Sequence, residues 1–118
     1  MQLKGEAKLL RIFVGENDKY SSIPVYEKIV IEAKKTGLAG ATVFKGIMGF
    51  GANSIMVHTS KILRLSEDLP LIIEIVDEQS KIEKFIPVID SIFEESNSGG
   101  LVTIEKADII IYTSSKKK

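Results

Sequence analysis

Residues 69–96, LPLIIEIVDEQSKIEKFIPVIDSIFEES, change hydrophobic period once, and that change constrains the fold more than any other stretch. The first nine residues are a nearly continuous apolar run of strand length, as expected for a strand that is central in a sheet or buried on both faces. From residue 78, Ile82, Phe85, Ile86, Ile89, Ile92 and Phe93 fall on one helical stripe, and lysines and glutamates fill the other side. Pro87 lies inside this stripe, where a missing N–H and a steric clash predict a kink or tolerated strain.

The rest of the chain follows the same order. AKLLRIFVG (7–15) reads as a strand ending at Gly15, and ENDKYSSI (16–23) as a polar turn. Pro24 suits the first residue of a helix, with Ser21 or Ser22 as its cap. Val25, Tyr26, Ile29, Val30 and Ala33 recur at helical spacing, and Gly37 is a fitting stop. ATVFKGIM (41–48) predicts a second strand, NSGG (97–100) a turn, and LVTIEKADIIIYT (101–113) a last strand interrupted near Lys106 and Ala107. The order β-α-β, loop, β-α-β predicts one domain over 1–118, a ferredoxin-like α+β sandwich with two helices on one face of an antiparallel sheet. The uncovered face is too apolar to stay wet, so copies of the chain are expected to associate. The tail from 114, ending in three lysines, is expected to be disordered.

Composition narrows the function. Sixteen basic residues cancel sixteen acidic ones, which argues against nucleic-acid binding driven by an overall positive field. The chain has no cysteine, which excludes disulfides, thiolate catalysis and cysteine-bound zinc. MQLKGEAKLL lacks the apolar core of a signal peptide, and no apolar run reaches the roughly 20 residues of a membrane span. The expected location is the cytoplasm.

Between the second and third strands lie the residues of a long loop, about 49–68, with the length of a functional or mobile segment. Gly49 and Gly51 permit close backbone approach to a ligand, and glycine-rich N–H groups can form an anion nest. The segment is neither a Walker motif nor a GxGxxG that opens a helix, and a tight turn leaving a strand explains it equally well. His58 is the one histidine, so a zinc site would need copies from several chains. Ser54, His58 and Ser60 supply a hydroxyl and a base without a placed carboxylate, so no catalytic residue is assigned. Glu16, Asn17 and Asp18 read as a solvated acidic turn, Phe44 and Tyr112 as packing residues. Glu74 interrupts an apolar strand and is expected to pair with Arg11 or a lysine.

GLAGATVFKGIMGFGANS, LPLIIEIVD and GGLVTIEKADIIIY, together with GEND and LSEDLP, resemble PII-like signalling proteins over residues 6–113. The resemblance implies a regulatory protein rather than an enzyme. It further implies a trimer with its sheets toward the threefold axis, and an adenine nucleotide in the cleft between subunits. The loop 49–68 would face a protein partner such as a membrane transporter or channel. Carried across by position, base and ribose contacts fall on Ala41, Thr42 and Val76. Loop-base contacts fall on Gly49, Phe50, Gly51, Ala52 and Asn53, and the neighbouring turn on Gly99 and Gly100. The family's loop glutamine is Asn53 here, its turn lysine is Gly100, and its two last-strand arginines are Ile111 and Thr113. With those charges gone, AMP or ADP is expected over ATP, with no metal required. Arg11, Lys45 and Arg64 are the candidate replacements for phosphate or partner contacts. Two alternatives remain: a metal- or anion-responsive trimer like CutA, and a small nucleotide-processing enzyme.

Overall fold

The computed structural model describes residues 5–51 and 68–115. Its elements are β1 (Gly5–Gly15), β2 (Lys19–Tyr20), β3 (Ile23–Pro24), α1 (Val25–Lys35), β4 (Thr42–Lys45), β5 (Pro70–Asp77), α2 (Gln79–Ser96) and β6 (Leu101–Ile109). The sheet has the order β4-β5-β1-β6 with every neighbouring pair antiparallel, and β2 and β3 form a small separate hairpin. This is the expected ferredoxin-like arrangement.

Strand alternation decides which residues form the core. Leu10, Ile12 and Val14 of β1 and Leu71, Ile73 and Ile75 of β5 are buried beneath the helices. Val25, Ile29 and Ala33 of α1 and Ile82, Phe85, Ile89 and Ile92 of α2 meet them. Full burial of each large apolar side chain contributes about 2 kcal/mol. The alternate residues Leu9, Arg11, Phe13, Ile72, Glu74 and Val76 point to the face that carries no helix. On that face Phe44 and Leu101 are also half exposed.

Both helices end in backbone reversals that satisfy their last carbonyls. After α1, Gly37 adopts φ +84, and its N–H and that of Leu38 donate to the carbonyls of Lys34 and Ala33. After α2, Asn97 takes the left-handed conformation, with Asn97 and Ser98 donating to Glu94 and Phe93.

Several boundaries differ from expectation. Helix α1 begins at Val25, with Pro24 as its cap and no side-chain capping bond, so neither Ser21 nor Ser22 serves. Ser21 instead turns the β2–β3 hairpin at φ 56. Pro87 does not divide α2, which runs as one helix, since the packing of Phe85 and Ile89 on the sheet holds the turn. Strand β4 stops at Lys45 rather than 48, where the Gly46 N–H closes onto the Pro70 carbonyl at 2.8 Å. Strand β6 passes unbroken through Lys106 and Ala107, paired with Lys8 and Ala7, and ends at Ile109 rather than 113.

Gly100 occupies a turn with no room for a side chain. A Cβ there would stand 2.2 Å from the Phe13 carbonyl oxygen and 3.1 Å from the Phe93 ring, so no side chain fits without backbone movement. Gly40 is surrounded by open space. Gly100→Ala is therefore expected to destabilise the protein by about 1–3 kcal/mol in urea unfolding. Gly40→Ala is expected to leave stability unchanged or to raise it by about 0.5 kcal/mol.

Candidate functional site

Asp77 organises one end of the sheet. It is fully buried at the end of β5, and its carboxylate accepts two backbone bonds, from Ala39 N–H at 2.9 Å and Glu78 N–H at 2.7 Å. The first bond sets the approach to β4, and the second orients the residue that caps α2. Ala39 is held from its other side as well, because the Tyr112 hydroxyl donates to its carbonyl at 3.1 Å.

A cavity of about 590 Å³ lies beside this anchor on the helix-free face. Ala39–Thr42 form one wall, Glu74 and Val76 the floor, and Asp108–Tyr112 the opposite wall. Its volume is in the range of small-molecule sites. Of the expected base and ribose contacts, Ala41, Thr42 and Val76 all line it. Thr42 and Glu74 are direct cross-strand partners.

The glycine-rich stretch lies past the other end of β4. Gly46 packs on Pro70, and a Cβ on Gly49 would meet the Pro70 ring at 3.1 Å, while Gly51 has open space around it. Ile47 and Phe50 are largely exposed. Gly99 and Gly100 precede Leu101, which pairs with Phe13, so they lie at this same end of the sheet. The chain thus holds two groups of expected contacts at opposite ends of its strands. Ala52, Asn53 and Arg64, with Ser54, His58 and Ser60, lie outside the described residues.

The two remaining basic candidates already have carboxylate partners. Arg11 Nε bonds Glu74 at 2.8 Å, as expected from sequence, and its Nη1 bonds Glu105. These bonds, Glu74 first, raise the guanidinium pKa against the opposing effect of desolvation. Lys45 Nζ lies 3.1 Å from Glu16. Phe44 and Tyr112, expected to pack, are only half covered in the single chain.

The acidic turn after β1 is a structural joint. Glu16 accepts the Leu69 N–H at 3.1 Å, pairs with Lys45, and gives its own N–H to the Leu69 carbonyl at 2.9 Å. One residue therefore ties the end of β4 to the chain entering β5. Asn17 N–H donates to Asp68, and Asp18 accepts the Gly15 N–H. The Leu69 backbone bond, then Lys45, holds the Glu16 carboxyl below its ordinary value. Burial pushes Asp18 up, with a smaller contribution from neighbouring Asp68. Sequence reasoning took these residues for solvated acids and overlooked Asp77. The available signal was an acid closing an apolar strand directly before a helix.

A family comparison decides the lineage. The profile of DUF190, described as an uncharacterized ACR, matches residues 7–109. The chain belongs to the DUF190 family. A UPF0166 protein of Aquifex aeolicus (strain VF5) is 37% identical over 103 residues, covering 87% of this chain and 92% of the relative. A UPF0166 protein of Methanocaldococcus jannaschii is 37% identical over 99 residues, covering 84% and 87%. Among solved structures, this DUF190 protein is similar to CPII of Thiomonas intermedia K12 bound to ADP and bicarbonate, with TM-score 0.63 and 16% identity over 92% of this chain and 93% of that one. It is also similar to a putative PII-like signaling protein of Thermus thermophilus, with TM-score 0.56 and 14% identity over 90% and 91%. At such identity what is shared is the PII-like fold. Among the described residues of the DUF190 chain, no group of three or more His, Asp or Glu could hold a metal ion, and no helix is long and apolar enough to cross a membrane.

The Glu16 joint has a defined pH dependence. Its carboxyl titrates lower in the fold than its ordinary value of 4.5. Its contribution is therefore complete above that value and is lost as pH falls through the folded one. Asp18 acts in the opposite sense, since its raised pKa favours the fold on acidification. The readout is thus the difference between variants. Glu16→Gln is expected to lower the thermal midpoint at neutral pH, and the gap from the unmodified protein should close under acid. A gap independent of pH would mean that the charge is not what holds the joint.

Proposed function

We propose that this chain is a PII-like regulatory protein of the cytoplasm that binds an adenine nucleotide and is not an enzyme. Three copies assemble through the helix-free sheet faces, and the nucleotide occupies the cleft between neighbours. The base and ribose contact Ala41, Thr42 and Val76. The 5′ phosphates run toward the backbone of Gly49, Phe50, Gly51, Ala52 and Asn53, with Gly99 and Gly100 of the adjoining turn. Binding changes the population of conformers of the loop 49–68, which acts on a protein partner.

The observation that carries this reading is the cavity on the helix-free face, which gathers Ala41, Thr42 and Val76 in a chain of PII-like fold. Similar folds in CPII hold ADP with bicarbonate, or ADP together with AMP. The charge balance favours AMP or ADP over ATP. Arg11 and Lys45 are both paired with carboxylates, so backbone amides, with Arg64 or the tail lysines, are the phosphate contacts of this reading. Assembly is favoured by the apolar content of the open face, where Phe13, Phe44, Ile72, Val76 and Leu101 surround one ion cluster.

Titration calorimetry with AMP, ADP and ATP tests the ligand. Saturation near one nucleotide per chain is expected, with AMP and ADP tighter than ATP. Gly51→Val should weaken both by roughly tenfold or more, because the site is open enough to accept the side chain without disturbing the fold. Absence of binding to all three would remove the reading. Sedimentation tests the assembly: the unmodified chain should run as a trimer and Leu101→Glu as a smaller species. A monomer at all concentrations would show that the open face has another occupant.

A further inference from the structure

The helix-free face of the sheet is banded, and the bands follow from register. Phe44 pairs with Ile72, Ile72 with Phe13, and Phe13 with Leu101, so an apolar row crosses all four strands at the end where β4 stops. The next row is polar, with Thr42, Glu74, Arg11 and Thr103 as successive cross-strand partners. Beyond it come Val76, Leu9 and Glu105, and then Ala7 with Ala107. Ala7 is only 2% exposed, so the far end of the face is already covered within the chain.

The apolar row continues off the sheet. Pro70 alternates with Ile72 onto the helix-free face, and Cβ atoms on Gly46 and Gly49 would stand 2.9 and 3.1 Å from its ring. The stem of the long loop therefore leans onto the same end of that face. It carries Ile47, 90% exposed, Phe50, 69% exposed, and the half-exposed Met48, while Phe44 and Leu101 are half exposed within the row itself. These side chains are uncharged, and the cation nearest in sequence, Lys45, is held by Glu16. Glu16, Asp18 and Asp68 gather at this end, which disfavours an anionic lipid surface as the occupant. A second copy of the chain offers the same apolar row and no opposing charge.

The polar row is unsuited to a dry contact. Arg11 bonds both Glu74 and Glu105, so two carboxylates share one guanidinium. Enclosing this cluster would desolvate all three groups and bring like net charges of neighbouring copies together.

We propose that copies of this chain meet along the row from Phe44 to Leu101, extended by Ile47 and Phe50 of the loop stem, while the row through Arg11 stays hydrated. This rests on the self-association reading and deepens it: the neighbouring copy covers the stem, so the order of the stem and the assembly are linked. Whatever fixes the stem strengthens association, and association fixes the stem.

Sedimentation of the full chain, with hydrogen exchange at the stem amides, tests the proposal. Ile47→Ser combined with Phe50→Ser should raise the concentration at which copies separate by about tenfold or more. Circular dichroism should be unchanged, since both side chains are exposed. Thr103→Trp, a bulky group placed in the hydrated row, should shift that concentration by less than about threefold. Exchange at the amides of Met48, Gly49 and Phe50 should slow as concentration rises through the association range. Assembly blocked by Thr103→Trp would overturn the proposal, as would assembly untouched by the stem substitutions. Either result leaves the self-association reading standing, whereas a chain monomeric at all concentrations removes both. Vesicles of anionic phospholipid should not pellet the protein. Pelleting that is lost with the stem substitutions would assign the patch to a membrane and overturn the proposal.

Discussion

Asp77 is a buried carboxylate in a small core, and such a group persists only when its acceptor capacity is met. Here the two oxygens divide between the segment that follows α1 and the residue that opens α2. One holds Ala39, the other the start of α2. The bond to Ala39 fixes where the chain emerges from α1 and turns into β4, and so it sets the position of Ala41 and Thr42 over Val76. The bond to Glu78 starts the helix that covers β1 and β5. Removing the carboxylate would leave both N–H groups without their acceptor, at about 1–3 kcal/mol each. The cavity wall at Ala39 and the start of α2 therefore share one anchor.

The two faces of the sheet solve different problems. Toward the helices, alternation delivers a continuous layer of Leu, Ile and Val, and that layer needs no further partner. Away from them, the same alternation places Arg11 between Glu74 and Glu105 within a ring of apolar side chains. A cross-strand ion cluster is worth little in water but resists slippage, because a shift of one residue would carry Arg11 into the core. Register is thus specified from both sides of β1: by apolar burial on one and by charge pairing on the other.

The legible parts of the sequence were those with strong periodicity. Residues 69–77 and the stripe through Ile82, Phe85, Ile89 and Ile92 could be placed because burial repeats at a period the residues display. Arg11 with Glu74 was legible because a charge interrupting an apolar strand needs a partner. The ends of β4 and β6 were not legible, since both continue as apolar sequence after pairing has ceased. Ile110 and Ile111 read as strand by composition, but among the described residues the pairing with β1 ends at Ile109 with Gly5. Gly100 was read as a ligand contact from family position, and its packing against Phe13 shows an independent steric demand that sequence could not display. The PII-like fold was legible from several short motifs taken together. The site was legible only in part, because its walls are brought together by long-range contacts such as Tyr112 with Ala39.

The joint at Glu16 bears on how a ligand's presence could be transmitted. A segment leaving Lys45 and returning at Leu69 has its two ends held by one side chain. Closing a segment of this length costs chain entropy that grows only slowly with length, so fixing its ends is cheap relative to ordering its interior. Contacts near the stem can then act without unravelling β4 or β5. A ligand that touches Gly49–Gly51 acts at that stem, directly beside Pro70. On the proposed reading, a few backbone bonds there would act by their differential strength alone, with no movement required of the core. The acids after β1 therefore serve the fold directly, by joining the end of β4 to the chain entering β5.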